Sequence, residues 1–512
     1  MSRTVSTGPK TVQRVRGSAA KAAVPKSISN EMLLQQIGSL RDDVISGAQP
    51  ILERLGGDVS GGNPAVTNLA HYLALRHHDI REIQRQLMWR GLSSLGRLEG
   101  RVVPVLDAVT ATLSALVGRA SPRPSPTQEE FFAGEARLTA ASDELFGPPP
   151  GSRRSRIMVT LPPEAAGDPA LVVGYAKRGM DVARINCAHD GPMAWRGMAQ
   201  HVQTARKSVG RPIKILMDIA GPKIRTGTVL TPHKSARVQP GDAIRLVASG
   251  SPRTTKDVPF SATISVPGIV GRLSPGNRFR YDDGKLDGVV EAVADGEVII
   301  RVERTKNGGA KLKPEKGINL PDTSLGLSPL TAKDEEDLET LTEYADILGY
   351  SFVSQAEDID LLEAALGRRG RRNRPLGLIA KIELPDAVKN LPDLIARASG
   401  RMPFGVMIAR GDLAAEIGFE RVAEMQEEIL WICEAASVPA IWATQVLEAL
   451  VQSGIPSRGE MTDAAMGARA ECVMLNKGPE VELAIETLDR LLARMDANLL
   501  KKTPRLRALR SW

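Results

Sequence analysis

Two short strings in this chain carry charged groups suited to handling an anion and a metal ion together. In Ala380-Lys381-Ile382-Glu383, the alternation of an extended strand sends Lys381 and Glu383 to one face and Ile382 to the other. An ammonium and a carboxylate then share one site. Taken alone, the pair reads equally well as a salt bridge at the rim of a sheet. Asp412, in Ala409-Arg410-Gly411-Asp412, adds a carboxylate at the end of the next expected strand. Two carboxylates from neighbouring strands can hold one Mg²⁺ or Mn²⁺ through hard oxygen ligands, leaving other positions to substrate oxygens and water. The Ala409–Asp412 turn leads into a helical stretch, so its backbone N–H groups can face an anion such as a carboxylate, with Gly411 allowing close approach. The plain alternative is an ordinary strand-to-helix turn.

Other runs are also apolar along their length and polar at their exit, ending in Arg184-Ile185-Asn186-Cys187-Ala188-His189, in Asp218 and in Ala443-Thr444-Gln445. Packing does not account for that pattern. The runs fall at 156–161, 181–187, 214–219, 345–352, 377–383, 404–410, 439–445 and 471–476, alternate with helical stretches and read as βα units of a parallel sheet. An open doubly wound sheet explains the alternation as well, but eight strands is the number that closes a (β/α)8 TIM barrel, whose catalytic groups stand at the C-terminal strand ends. The last helix is expected at 481–495.

Between the third and fourth runs lies an insertion with Val/Ile alternation and the turns Gly241-Asp242, Pro275-Gly276 and Asp283-Gly284, which reads as a small β domain. Upstream, apolar residues at helical spacing are interrupted by Gly56-Gly57 and Gly61-Gly62, and Pro148-Pro149-Pro150 forms a stiff joint. The expected organisation is a disordered basic tail (1–29), a helical region with linker (30–150), a barrel (151–227 and 317–500) and an inserted small β-barrel lid domain (228–316). The helical region is expected to be a separately folded or partner-docking module.

Composition sets outer limits. The 512 residues suit two or three domains, and 42% hydrophobic with 25% charged residues is ordinary for a protein with a large core. No apolar run approaches a membrane span. Cys187, Cys433 and Cys472 show no metal or disulfide spacing, which suits a reducing compartment. A net charge of +7 requires no nucleic-acid partner and suits small phosphorylated anions. The acid-free stretch 1–29 overlaps organellar transit peptides in composition, but reads first as the basic tail of a cytoplasmic protein.

The strings VARINCAH (182–189), MDIAGPKIRTG (217–227), YDDG (281–284), KGINLP (316–321), SFV (351–353), AKIE (380–383), MIARGDLA (407–414) and WATQVLEAL (442–450) resemble, in order, those of the pyruvate kinase family. The resemblance spans about 156–495, includes the insertion where the family keeps its lid, and excludes residues 1–150. It implies the glycolytic transfer of a phosphoryl group from phosphoenolpyruvate to ADP, giving pyruvate and ATP. Implied roles are Glu383 and Asp412 as ligands of Mg²⁺ or Mn²⁺, Lys381 against the charge of the moving phosphoryl, and Arg184 on the phosphate. The turn at Ala409, Arg410, Gly411 and Asp412 would take the substrate carboxylate, Thr444 would serve a proton relay, and Asn186, His189 and Arg225 would lie on the nucleotide side.

The sequence departs from the family at several points. Ala188 and Ile219 stand where two oxygen donors of a monovalent-cation site are usual, and Lys223 stands where K⁺-dependent members carry Glu. Lys223 is therefore read as replacing the cation's charge, with K⁺ not required. The usual Lys before Gly221 is Ala220. Asn476-Lys477-Gly478-Pro479 replaces the usual loop after the eighth strand, and the chain ends soon after the last helix, so no regulatory C-terminal domain is expected. Self-association into a homo-oligomer stays open. The rival readings are a catalytically weakened relative that binds phosphoenolpyruvate or nucleotide as a sensor or scaffold, and another barrel enzyme using phosphoenolpyruvate or pyruvate.

Overall fold

The computed structural model describes residues 27–56, 62–282, 284–323, 326–368, 375–501 and 503–504. Most of the expected basic tail, together with Gly57, Gly61 and Asp283, lies outside the described residues. Eight parallel strands close into a barrel in chain order: Arg156–Thr160, Val182–Asn186, Lys214–Asp218, Ile347–Tyr350, Gly377–Ile382, Phe404–Ala409, Ala440–Ala443 and Cys472–Leu475. The expected runs match these strands to within a few residues at either end. The helix after the eighth strand is Val481–Asp496.

Strand alternation sorts side chains into two cores. Met158, Val182, Leu216, Ile347, Ile379, Met407, Ile441, Cys472 and Met474 fill the barrel interior. Their neighbours, such as Ile157, Ala183, Ile215, Leu348, Ala380 and Ile408, face the surrounding helices. Continuing the inward parity towards the strand exits brings Thr160, Arg184, Asp218, Ser351, Lys381 and Glu383 onto the inner face. The site is thus built directly above an apolar floor.

The N-terminal helices are not set apart from the barrel as the sequence reading expected. They run Asn30–Arg54, Pro64–Leu75, Arg81–Met88, Val102–Leu116 and Gln128–Phe146. The last is started by a capping box between Thr127 and Glu130 and ends at Gly147, whose φ of 86° stops it. Its final residues, Leu145 and Phe146, join the interior barrel core. Gly377 and Gly405 leave room for this plug: a Cβ on either would lie 2.6 or 2.7 Å from a Leu145 methyl. Asn68 fastens the helices elsewhere, donating at 2.7 Å to the carbonyls of Glu99 and Ala435 and accepting from Val102 N–H at 3.0 Å. The triple proline marks a turn in the chain, and a composition shift says nothing about which apolar faces meet.

The insertion forms a seven-stranded mixed sheet, with edge strands Ile318–Asn319 and Thr226–Leu230, around its own core of residues such as Ile244, Phe279 and Ile300. The two edges meet at an isolated bridge between Arg225 and Gly317. Backbone bonds from the Thr226 N–H to the Lys316 carbonyl and from the Ile318 N–H to the Ile224 carbonyl, both 2.9 Å, join the edges there, so the lid is a mixed half-barrel sheet closed at its hinge.

Removing the plug should weaken the barrel itself. Phe146 is 2% exposed, so Phe146→Ala is expected to cost about 3–5 kcal/mol of stability, read from urea denaturation of the full chain. An unchanged unfolding midpoint would show that the helix end only rests against the barrel.

Candidate active site

At the exit of the fifth strand, Lys381 Nζ lies 2.7 Å from Glu383 Oε1, 2.7 Å from Ser351 Oγ and 3.8 Å from Asp218 Oδ2. Glu383 is 2% exposed, and its Oε2 accepts from the Phe352 N–H at 2.8 Å. Burial pushes the Glu383 carboxyl above its usual range, Lys381 opposes that shift, and Asp412 adds to it.

Asp412 follows the sixth strand in the first turn of the helix Arg410–Ile417. Its Oδ1 lies 2.6 Å from Lys223 Nζ, which comes from the outgoing hinge of the lid. Gly317, on the returning hinge, allows the lysine stem to pass: a Cβ there would stand 3.0 Å from Lys223 Cε. Lys223 thus brings its charge to a carboxylate of the site.

Arg184 is anchored from below. Its Nε donates to Asp218 Oδ2 at 2.9 Å and its Nη1 to Thr160 Oγ1 at 3.0 Å. Asp218 is 1% exposed. Gly349, opposite it, has no side chain because a Cβ would collide with the Asp218 carboxylate.

Thr444 follows the seventh strand, and its Oγ1 accepts from the Gly411 N–H at 3.0 Å. The Arg410 side chain turns away from this turn. It donates to the carbonyls of Ala443 and Thr444, both at 2.9 Å, pairs with Asp463, and lies 4.4 Å over the Trp442 ring. Arg410 therefore fixes the backbone that carries Thr444, while Ala409 leads the chain into the helix.

The nucleotide-side candidates are more spread out. Asn186 Oδ1 accepts from Ala188 N–H at 3.2 Å, and Arg225 Nη1 donates to the Glu315 carbonyl at 3.1 Å. Burial lowers the His189 imidazole below its usual value, and the positive charges of Lys477 and Arg225 lower it further. Lys477, in the altered loop, was missed as a site residue because its approach to His189 depends on closure of the barrel. Ser351 and Thr160 were missed too, although inward strand parity identifies them.

The donors fit a hard divalent cation. Glu383 and Asp412 supply carboxylate oxygens from successive strands, and among the described residues no group of three or more His, Cys, Asp or Glu side chains gathers to hold a metal. The rest of a coordination shell would fall to substrate and water oxygens. Beside this centre, a cleft of about 670 Å³ runs between the lid and the barrel, lined by Arg280, Arg304 and Lys306 on one side and by Gly411, Thr444 and Asp463 on the other.

Residues 152–480 match the family model described as pyruvate kinase, barrel domain. A pyruvate kinase of Methylorubrum extorquens is 32% identical over 357 residues, covering 68% of this chain and 70% of the relative. One from Agrobacterium vitis is 34% identical over 335 residues, covering 64% and 65% of the two chains. The crystal structure of a pyruvate kinase from Cryptosporidium parvum is similar with a TM-score of 0.59 and 25% identity, covering 69% of this chain and 72% of that one.

Gly349→Ala should force Asp218 away from Arg184. Overpacking of this kind costs about 1–3 kcal/mol, and both thermal stability and any turnover should fall. A variant with an unchanged melting temperature would show that the carboxylate has room to move.

Proposed function

The chain belongs to the pyruvate kinase family, and we propose that it transfers the phosphoryl group of phosphoenolpyruvate to ADP through the residues gathered at the barrel mouth. One observation carries this reading: Lys381 and Glu383 form a buried pair 2.7 Å apart at the exit of one strand, and Asp412, after the next, is held 2.6 Å from Lys223. Phosphoryl transfer needs positive groups held in place around a migrating anion more than it needs covalent help from the protein.

In this reading Glu383 and Asp412 hold Mg²⁺ or Mn²⁺, which when bound supplies a Lewis acid for substrate oxygens. Arg184, kept in orientation by Asp218 and Thr160, binds the phosphate. Lys381, held by Glu383 and Ser351, faces the charge of the phosphoryl group in transit. The backbone of Ala409, Arg410, Gly411 and Asp412 receives the substrate carboxylate. As the bond between phosphorus and the enol oxygen breaks, an ADP oxygen bonds to phosphorus and the electron pair stays on the enolate. The enolate carbon then takes a proton, with Thr444 in the relay, giving pyruvate. Asn186, His189, Arg225 and Lys477 form the nucleotide side.

Lys223 supplies the fixed charge that a monovalent cation would otherwise bring, so K⁺ is not needed. The protein acts in glycolysis in the cytoplasm. In support, all three cysteines are buried free thiols, and no helix among the described residues is long and apolar enough to cross a membrane. The Asn476–Pro479 loop favours the rival reading, a relative that binds without turnover.

A coupled assay with phosphoenolpyruvate, ADP and Mg²⁺ separates the two. Turnover is expected, and Asp412→Ala should lower it by roughly 10³-fold; a silent wild type would support the rival, and an active variant would place the metal elsewhere. Activity should also be nearly equal in K⁺ and in a bulky organic cation at matched ionic strength. Lys223→Glu should lower it, with only partial rescue by added K⁺. Strong K⁺ activation of the unmodified protein would remove the charge-replacement role.

A further inference from the structure

The lid touches the active-site scaffold at a place distant from its hinge. Arg280 and Asn319 are direct partners across the antiparallel strands Arg278–Tyr281 and Ile318–Asn319 at the lid edge. Arg280 Nη1 donates to the carbonyls of Ala414 and Ala415, both at 2.8 Å. Asn319 Nδ2 donates to Glu416 Oε1, also at 2.8 Å, in a contact where both side chains are buried. On its other side Arg280 faces its cross-strand partner Asp287, with Nε 3.6 Å from Oδ1. The guanidinium is thus held within the lid while it reaches out to the barrel.

All three acceptors lie near the end of the helix Arg410–Ile417. Its last carbonyls lack partners within the helix, and a positive charge there complements the helix dipole. Its first turn carries Gly411 and Asp412. Eight residues form a rod only about 12 Å long, too short to bend appreciably between the two ends. Displacing its last turn must therefore shift the Gly411 N–H and the Asp412 carboxylate.

We propose that Arg280 and Asn319 are positioning residues, which clamp the far end of this helix to the lid and so set where its near end holds the substrate carboxylate and the metal-binding carboxylate. The lid is then coupled to the site through the helix as well as through Lys223 at the hinge. The naming of the substrate rests on the function proposed above; the clamp itself rests on the contacts.

The test compares full-length Arg280→Ala, Arg280→Lys and Asn319→Ala with the unmodified protein. Arg280→Ala should raise KM for phosphoenolpyruvate about tenfold, the loss expected for hydrogen bonds from a charged donor, with KM for ADP nearly unchanged. Arg280→Lys should recover part of the loss. In the absence of ligands, amide hydrogen exchange across residues 411–418 should speed up in Arg280→Ala and, to a smaller extent, in Asn319→Ala. Unchanged exchange in both alanine variants would overturn the clamp, as would equal rises in both KM values. If the unmodified protein shows no turnover, the functional reading fails, while the exchange measurement still decides the clamp. Asn319→Ala keeps the test open if Arg280→Ala does not fold, because it leaves the arginine in place.

Discussion

A carboxylate as buried as Glu383 is tolerable only with a partner, and Lys381, two residues earlier near the end of the fifth strand, provides it at 2.7 Å. Leaving either group alone in that environment would be strongly unfavourable. The pair is held on every side. Ser351 Oγ accepts from the ammonium, the Phe352 N–H donates to the carboxylate, and Asp218, itself paired with Arg184, lies 3.8 Å from Nζ. These groups come from different strands, so the pair survives only if the barrel closes with those strands in register.

That closure depends on events at the opposite end. The interior core beneath the charged layer consists of one or two residues per strand, and its lower end is completed by Leu145 and Phe146 from outside the barrel. Bare backbone at Gly377 and Gly405 admits them. The same fifth and sixth strands lead at their upper ends to Lys381, Glu383 and Asp412. A region that contributes no side chain to the cluster at the barrel mouth thereby supports the strands that carry it, and the family match beginning at residue 152 does not mark a boundary in the packing.

Among the described residues, three links between lid and barrel stand out. The chain crosses twice at the hinge, Lys223 passes over Gly317 to reach Asp412, and Arg280 with Asn319 meets the end of the helix that begins beside Asp412. Both side-chain links end on the one helix. Lys223 meets Asp412 in its first turn and Arg280 meets the Ala414 and Ala415 carbonyls near its last, so a cation from the lid side holds each end, and the one at the C-terminal end also complements the helix dipole.

Much of this was legible in the sequence because strand alternation and apolar runs are local properties. The eight strands, the inserted sheet, and the placing of Lys381 and Glu383 on one face follow from residue types at a spacing of two. The resemblance carried by short motifs extended that reading to Arg184, Asp412 and Thr444. Contacts between distant segments were not legible. Nothing near Leu145 indicates that it enters a barrel whose strands begin later in the chain, and nothing near Arg280 points to Ala414. Lys223 was recognised as a charge, but its partner, Asp412, is 189 residues away. Lys477 reaches the neighbourhood of His189 only because the eighth strand closes against the first. The sequence by itself determined the elements and the chemical types at their ends, since these depend on local periodicity. Which ends meet was decided by tertiary structure, because closure of the barrel and docking of the lid bring together groups that no local rule connects.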